Sequence, residues 1–212
     1  MILQEISENL KKGKAKIVKQ KVQEALDAGM NAKEILDQGM LAAMSEIGER
    51  FKNNEIFVPE VLVAARALNA GMAVLEPILV AEGNEPIGKV VIGTVKGDLH
   101  DIGKNLVSMM IKGTGLEVVD LGVDVSAEKF IDAAEETGAN IICMSSLLTT
   151  TMTYMETVIQ ELEARGLRDK YKVMVGGAPV TTEFAKQIKA DCYTPDAATA
   201  AEVAKELVLK TA

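Results

Sequence analysis

The chain has 212 residues, 48% of them apolar, a formal charge of −8 at pH 7 and a single histidine. That length suits one ordinary domain and a smaller one with real cores, while the acidic balance argues against nucleic acid or anionic lipid, which need clustered Lys and Arg. No uninterrupted apolar run approaches the roughly twenty residues of a membrane span, and the N-terminal MILQEISENLKKGK carries acids where a secretory leader would be basic and then apolar; a cytoplasmic protein with protein and small-molecule partners is expected.

Up to about residue 82 the apolar residues follow a helical period. Two weaker segments, near 2–11 and 14–28, come first. Leu36, Met40, Met44, Ile47 and Phe51 then form a stripe, preceded by Asn31 and Glu34 in capping-box spacing. Val61, Ala65, Leu68, Met72, Leu75 and Leu79 form a clearer one. Four such segments predict a small four-helix bundle. Pro59 suits a first helical turn, and Pro77 is expected to kink or interrupt the last helix.

The polar stretch AEGNEPIG (81–88) ends the helical period, which divides the chain into a helical domain (1–82), a linker (83–88) and a second domain (89–212). In the second domain short apolar runs alternate with helical patterns: KVVIGTV, LEVVDLG, NIICMSS, YKVMVGG and DCYT are each followed by a helix. Five strand–helix units predict an α/β fold, a flavodoxin-like (Rossmann-like) doubly wound five-stranded parallel sheet with helices on both faces. Strand order is not legible in such a pattern. Cys143 and Cys192 lie far apart in strand-like surroundings, which reads as reduced core thiols rather than a disulfide or zinc site.

Doubly wound sheets bind ligands at the carboxyl ends of their strands. The loop after the first strand, VKGDLHDIGKN (95–105), concentrates unusual residues there, with Gly97 and Gly103 flanking Asp98, His100 and Asp101. A histidine beside carboxylates serves as an acid/base group, a metal ligand or an ordinary solvated residue. After the third strand comes the hydroxyl-rich Ser145-Ser146-Leu147-Leu148-Thr149-Thr150-Thr151, and after the fourth Gly176-Gly177, where absent side chains would open a slot between strand and helix. Each motif alone is commoner as a cap or turn. Together they fall on the sheet edge that holds His100.

Asp98-Leu99-His100-Asp101-Ile102-Gly103, then Ser145-Ser146-Leu147, then Gly176-Gly177 resembles the three-part cobalamin-binding signature DxHxxG…SxL…GG. With its helical first half, the whole chain resembles the corrinoid proteins of methanol- and methylamine-type methyltransferase systems and the cobalamin-binding region of methionine synthase. The resemblance implies a corrinoid cofactor, methylcobalamin or a related cobamide, with His100 replacing the cofactor's own base on cobalt. Gly97, Asp101, Ile102 and Gly103 would belong to the binding loop, and Ser145, Leu147, Thr149, Gly176 and Gly177 would line the slot for the nucleotide tail, with Gly122 and Ala197 as further candidates. Asp98 would hold the histidine nitrogen that does not face cobalt. Thr151 would complete a proton relay, as a Thr where methionine synthase has Ser, which leaves the relay's geometry open.

The segment ERFKNNEIFVPE (49–60) resembles the cap of methionine synthase, so Phe51 and Val58 would shield the methyl face, with Asp37 near it and a hinge in 81–88. The implied role is a methyl carrier between a substrate-specific methyltransferase and a second methyltransferase with a thiol or tetrahydrofolate acceptor, served by a reductive activator. The alternative is a cobalamin-binding subunit of an adenosylcobalamin-dependent mutase, although the chain has no length for the mutase's substrate-binding barrel.

Overall fold

The computed structural model describes residues 1–211. They form two compact units, one comprising Met1–Pro86 with Gly113–Gly115, the other Ile87–Lys112 and the chain from Leu116 onward.

The first unit contains α1 (Ile2–Lys11), α2 (Ala15–Asp27), α3 (Ala32–Glu34), a π-helical segment (Ile35–Leu41), α4 (Ala42–Lys52) and α5 (Val58–Ala81). Ile6 and Leu10 of α1, Val18 and Val22 of α2 and Leu75 of α5 are fully buried, each contributing about 1.5–3 kcal/mol of apolar burial. The Asn31 side chain accepts the Glu34 N–H at 3.1 Å, so the predicted helix start is a real N-cap. Of the stripe that follows, Met40, Met44 and Ile47 are buried as expected, whereas Ile35 is buried in place of Leu36, which is only partly so, and Phe51 ends half-buried. The wider i→i+5 turns of the π segment put Ile35, five residues before Met40, on the buried face.

A similar offset occurs in α5, where Gly71 rather than Met72 takes the buried position, against the Met40 thioether. Pro77 does not end α5, which runs on to Ala81. The carbonyl that loses its partner there belongs to Ala73, and both residues are exposed, so water can satisfy it. Among the described helices α5 alone is long and apolar enough, by length and hydropathy, to cross a membrane. Its Val61, Ala64, Ala65, Leu68, Leu75 and Leu79 are core residues of the bundle, which accounts for much of that hydropathy.

The second unit is the doubly wound sheet. Its strands are β1 (Lys89–Thr94), β2 (Glu117–Asp120), β3 (Ile141–Ser145), β4 (Lys172–Gly176) and β5 (Cys192–Tyr193), all parallel in the order β2-β1-β3-β4-β5. The connections are α6 (Ile102–Lys112), α7 (Ala127–Thr137), the short α8 (Thr149–Met152) with α9 (Tyr154–Ala164), and α10 (Thr182–Gln187); α11 (Ala197–Thr211) ends the chain. Alternate residues Val91, Ile142, Met144, Val173 and Val175 pack on one face with Phe130 and Ile131 of α7 and Val158, Ile159 and Leu162 of α9, while α6 and α11 pack together. Between β1 and β3 the winding reverses direction, so the connections leaving their carboxyl ends run to opposite sides of the sheet, where a doubly wound fold has its crevice. The register Thr94↔Ser145↔Gly176 sets the ends of β1, β3 and β4 level there.

Candidate functional site

At that crevice the chain buries a carboxylate. Asp98 is fully buried in the turn after β1. Its Oδ1 meets His100 Nδ1 at 2.7 Å and accepts the His100 backbone N–H at 3.1 Å. Its Oδ2 accepts the Leu147 N–H at 2.8 Å, the Thr151 hydroxyl at 2.8 Å and the Ser146 hydroxyl at 3.2 Å. Burial alone would raise this carboxyl's pKa, but the Leu147 and His100 amides, with the Thr151 hydroxyl and the imidazole, outweigh it and hold the group ionised well below the usual carboxylate range. An ionised Oδ1 at 2.7 Å fixes the tautomer: Nδ1 carries the proton and donates it, and Nε2 presents its lone pair. The histidine side chain is 51% exposed, and no described residue is hydrogen-bonded to Nε2.

The residues beside His100 in its own turn, and those of the turn whose Leu147 amide bonds Asp98, include large apolar side chains left exposed. Leu99 and Ile102 are 71% and 81% exposed, and Leu147 and Leu148 are exposed as well, an unusual grouping of large aliphatic residues in solvent. A Cβ added at Gly103 or Gly122 would meet nothing within 4 Å. Among the described residues no three His, Cys, Asp or Glu side chains come together to hold a metal. One protein nitrogen can hold a transition metal only when the ion arrives with most of its ligand set filled, as it does in a tetrapyrrole-like macrocycle. The lone Nε2, the exposed aliphatic residues of these two turns and the space at two glycines fit such a group.

A Cβ on Gly177, whose φ is +128°, would lie 1.8 Å from the Ser146 carbonyl oxygen, so on that side the glycine backbone packs against the neighbouring turn. The turn packed there is the one whose Ser146 hydroxyl and Leu147 amide bond Asp98. Gly176 faces the Thr194 carbonyl, 3.4 Å from where its Cβ would be. Ser145, half-buried, ends β3 beside Thr94 and Gly176; Thr149 opens α8 exposed, and Ala197 opens α11 buried. Asp101 is exposed, its carboxylate accepting the Asn105 amide at 3.1 Å. Gly97 has φ +83° and donates its N–H to Asp124.

In the helical unit Phe51 lies half-buried near the end of α4, Val58 opens α5 at the surface, and Asp37 is exposed with Lys33 Nζ at 3.5 Å.

Four polar residues here were not singled out from sequence. Ser146, not Ser145, supplies the hydroxyl to Asp98 and also lies 2.8 Å from Thr151 Oγ1. Thr94, fully buried, donates to the His100 carbonyl at 2.8 Å. Asp124 holds Gly97. Lys104, whose side chain is 2% exposed, reaches both Asp120 oxygens at 2.6 Å and Asn105 Oδ1 at 2.7 Å, and Asp120 in turn accepts the Gly122 N–H. Ser146 stands at the unspecified middle position of the SxL motif, and the others act across long sequence separations or inside apolar runs and leave no local pattern. The cysteines are free, Cys143 buried and Cys192 only partly so. Burial, then the neighbouring Cys192, pushes the Cys143 thiol up to about 12, and burial with Asp191 pushes Cys192 up to about 11, so both are neutral and unreactive near pH 7.

Family comparisons cover both units. Residues 88–204 and residues 2–76 each match a model described as a B12 binding domain. The chain is 44% identical to dimethylamine corrinoid protein 3 of Methanosarcina acetivorans, over 90% of this chain and 91% of that one. It is 39% identical to a corrinoid protein of Desulfitobacterium hafniense, over 99% and 98%. Among solved structures it resembles the methanol:cobalamin methyltransferase complex of Methanosarcina barkeri, with a TM-score of 0.90, 28% identity and coverage of 98% and 80%. A cobalamin-binding protein of Desulfitobacterium hafniense gives a TM-score of 0.78 at 30% identity, covering 97% and 98%. With its three-part signature, its sheet order and the lone Nε2 at the crevice, the chain belongs to the cobalamin-binding corrinoid proteins.

Proposed function

We propose that the chain is a methyl carrier, loaded by a substrate-specific methyltransferase and unloaded by a second methyltransferase whose acceptor is a thiol or tetrahydrofolate, with a reductive activator restoring it after oxidation. The observation that carries this reading is the free Nε2 of His100, opposite an Nδ1–H held by an ionised, buried carboxylate. When bound, the corrinoid supplies the cobalt on which the methyl group travels.

The chain's own residues do the rest. His100 would give its Nε2 lone pair to cobalt, and Asp98 would strengthen that donation by accepting the Nδ1 proton. When the nitrogen is released it can take a proton on Nε2, and the resulting charge would sit beside the Asp98 carboxylate, backed by the Thr151 and Ser146 hydroxyls. Leu99, Ile102, Leu147 and Leu148 would cover apolar edges of the cofactor and exclude water, and Gly103 and Gly122 would leave room for its substituents. No residue in this set selects a methyl donor, so selection is assigned to the partner enzyme. The relatives named as dimethylamine and trimethylamine corrinoid proteins make methylated amines the first donors to test.

The test combines the protein, reconstituted with hydroxocobalamin under reducing conditions, with methylamine and methanol methyltransferases and their substrates, and follows the absorption spectrum. A methylated spectrum that depends on both substrate and partner, and is reversed by a thiol or folate methyltransferase, is the expected result. Protein that binds no corrinoid, or that gives only a radical signal with a carbon-skeleton substrate, would replace the carrier reading, in the second case with the mutase one.

A further inference from the structure

The turn that carries His100 is tied down at points remote from the imidazole. Thr94, the last residue of β1, has its backbone engaged by the neighbouring turn: its N–H donates to the Gly122 carbonyl at 3.0 Å and its carbonyl accepts the Val125 N–H at 3.0 Å. Its side chain is fully buried, yet it is spent on one contact, the 2.8 Å bond to the His100 carbonyl. No other described residue donates to that carbonyl. A hydroxyl kept inside a parallel strand, where Val would pack as well, needs a partner to justify its burial, and the partner here is the main chain of the histidine.

The second tie comes from the turn after β2. Asp124 has φ +54°, a left-handed conformation that is uncommon for a residue with a side chain. In that conformation its Oδ1 accepts the Gly97 N–H at 2.7 Å, and its own N–H donates to the Asp98 carbonyl at 3.0 Å. One residue thus brackets the peptide on either side of Asp98 from a different strand connection. Backbone strain of this kind persists where the surroundings over-determine it.

We infer that Thr94 and Asp124 are positioning residues that pre-set the direction of His100 Nε2 before any cofactor arrives, and so bias the corrinoid toward its histidine-ligated state. The inference rests on the proposed reading of His100 as the cobalt ligand. A rotamer-rich surface imidazole on a loose turn would lose freedom on binding cobalt, and two fixed points on its backbone remove part of that loss in advance. Asp98 orients the ring; Thr94 and Asp124 orient the chain that carries it.

The experiment compares full-length wild-type protein with Thr94→Val, Thr94→Ser, Asp124→Ala and Asp124→Asn. Each is loaded with hydroxocobalamin, reduced to the cobalt(II) form and examined by electron paramagnetic resonance with ¹⁵N-labelled histidine. Thr94→Val and Asp124→Ala should retain the pigment, while the ratio of nitrogen-ligated to unligated cobalt falls roughly three- to tenfold, the weight of one net hydrogen bond. Thr94→Ser keeps the hydroxyl and Asp124→Asn keeps both the acceptor and tolerance of the left-handed backbone, so both should stay near wild type. In the cofactor-free protein, amide exchange at Gly97 should quicken in Asp124→Ala and not in Asp124→Asn, a readout that needs neither pigment nor activity.

A wild-type ligation ratio in both Thr94→Val and Asp124→Ala would overturn the inference, as would Thr94→Ser falling as far as Thr94→Val. If the wild-type protein itself binds pigment and shows no histidine splitting, the ligand reading fails at its root and takes the inference with it. Should Thr94→Val fail to fold, the Asp124 pair and the Gly97 exchange rates decide alone.

Discussion

The two units solve burial differently. The buried polar and charged side chains among the described residues lie in the sheet unit: Thr94, Asp98, Lys104, Ser108, Ser146 and Thr194, with the Tyr171 hydroxyl as well. The helical unit buries Ile, Leu, Val, Met, Ala and Gly and keeps its ion pairs, such as Lys11 with Glu8 and Glu46, toward the surface. An apolar core needs only volume and periodicity, whereas a buried polar group costs free energy unless each of its partners is in place. A protein accumulates such groups where geometry must be held for chemistry, and here Thr94 holds the His100 main chain, Asp98 its ring and Ser146 the Asp98 carboxylate. The contrast also sorts mutations: around the buried polar groups of the sheet unit they should alter both stability and the His100 turn, and in the apolar core of the helical unit stability without disturbing that turn.

The largest effect should come from Gly177→Ala. The new methyl would stand 1.8 Å from the Ser146 carbonyl oxygen, in backbone with φ +128°, so neither a side-chain rotation nor a small local shift relieves it. Overpacking and strain together should cost about 4 kcal/mol, seen as a fall in the urea midpoint. The turn that gives Asp98 its Ser146 and Leu147 donors must move with it, so amide exchange at Leu147 should accelerate beyond what global destabilisation explains. A Leu147 amide that remains protected in a weakened protein would break the proposed link between packing at the glycine pair and the carboxylate.

A smaller effect with a distinctive pH dependence is expected for Asp98→Asn. The folded carboxyl sits well below its ordinary value. Its contribution is therefore fully present above the unfolded value of about 3.9 and is lost as pH falls toward the folded one. The amide cannot accept all five donors that the carboxylate accepts, so the variant should be about 2 kcal/mol less stable at pH 7. Because Asn does not titrate, the gap should shrink as the pH is lowered below about 4. Urea unfolding of both proteins across pH 7 to 3 measures it, and a gap that is constant or widens with acid would mean Asp98 is not held ionised by its neighbours.

The same contrast explains what could be read from sequence. The sheet and its five units were legible because buried parallel strands are runs such as KVVIGTV and NIICMSS and their crossover helices repeat; strand order was not, because pairing of β1 with β3 is decided by packing over a long separation. The helices were legible by period; Ile35 replaces Leu36 where the π segment widens the turns, and within the regular α5 Gly71 replaces Met72 in packing against the Met40 thioether. In the site, Asp98 and His100 stand in one motif, and the contact of Thr151 with Asp98 was implied by the family resemblance. Thr94, Asp124 and Lys104 did not emerge. Thr94 looks like a β-branched strand residue, Asp124 like turn punctuation and Lys104 like a solvated helix charge, and only the tertiary fold turns each toward its partner.

The smallest effect tests the helical side of the comparison. Asn31→Ala removes the side-chain acceptor of the Glu34 N–H, a cap lying just before the π segment. An N-cap of this type is worth about 1 kcal/mol, and the exposed Glu34 amide can bond water instead, which limits the loss. The variant should lower the urea midpoint slightly and leave the ¹⁵N signals of His100 and the exchange rates of Gly97 and Leu147 as they are in wild type. If the His100 signals move with a cap deletion in the bundle, the helical unit is not merely a packed core, and the division of labour drawn between the two units is wrong.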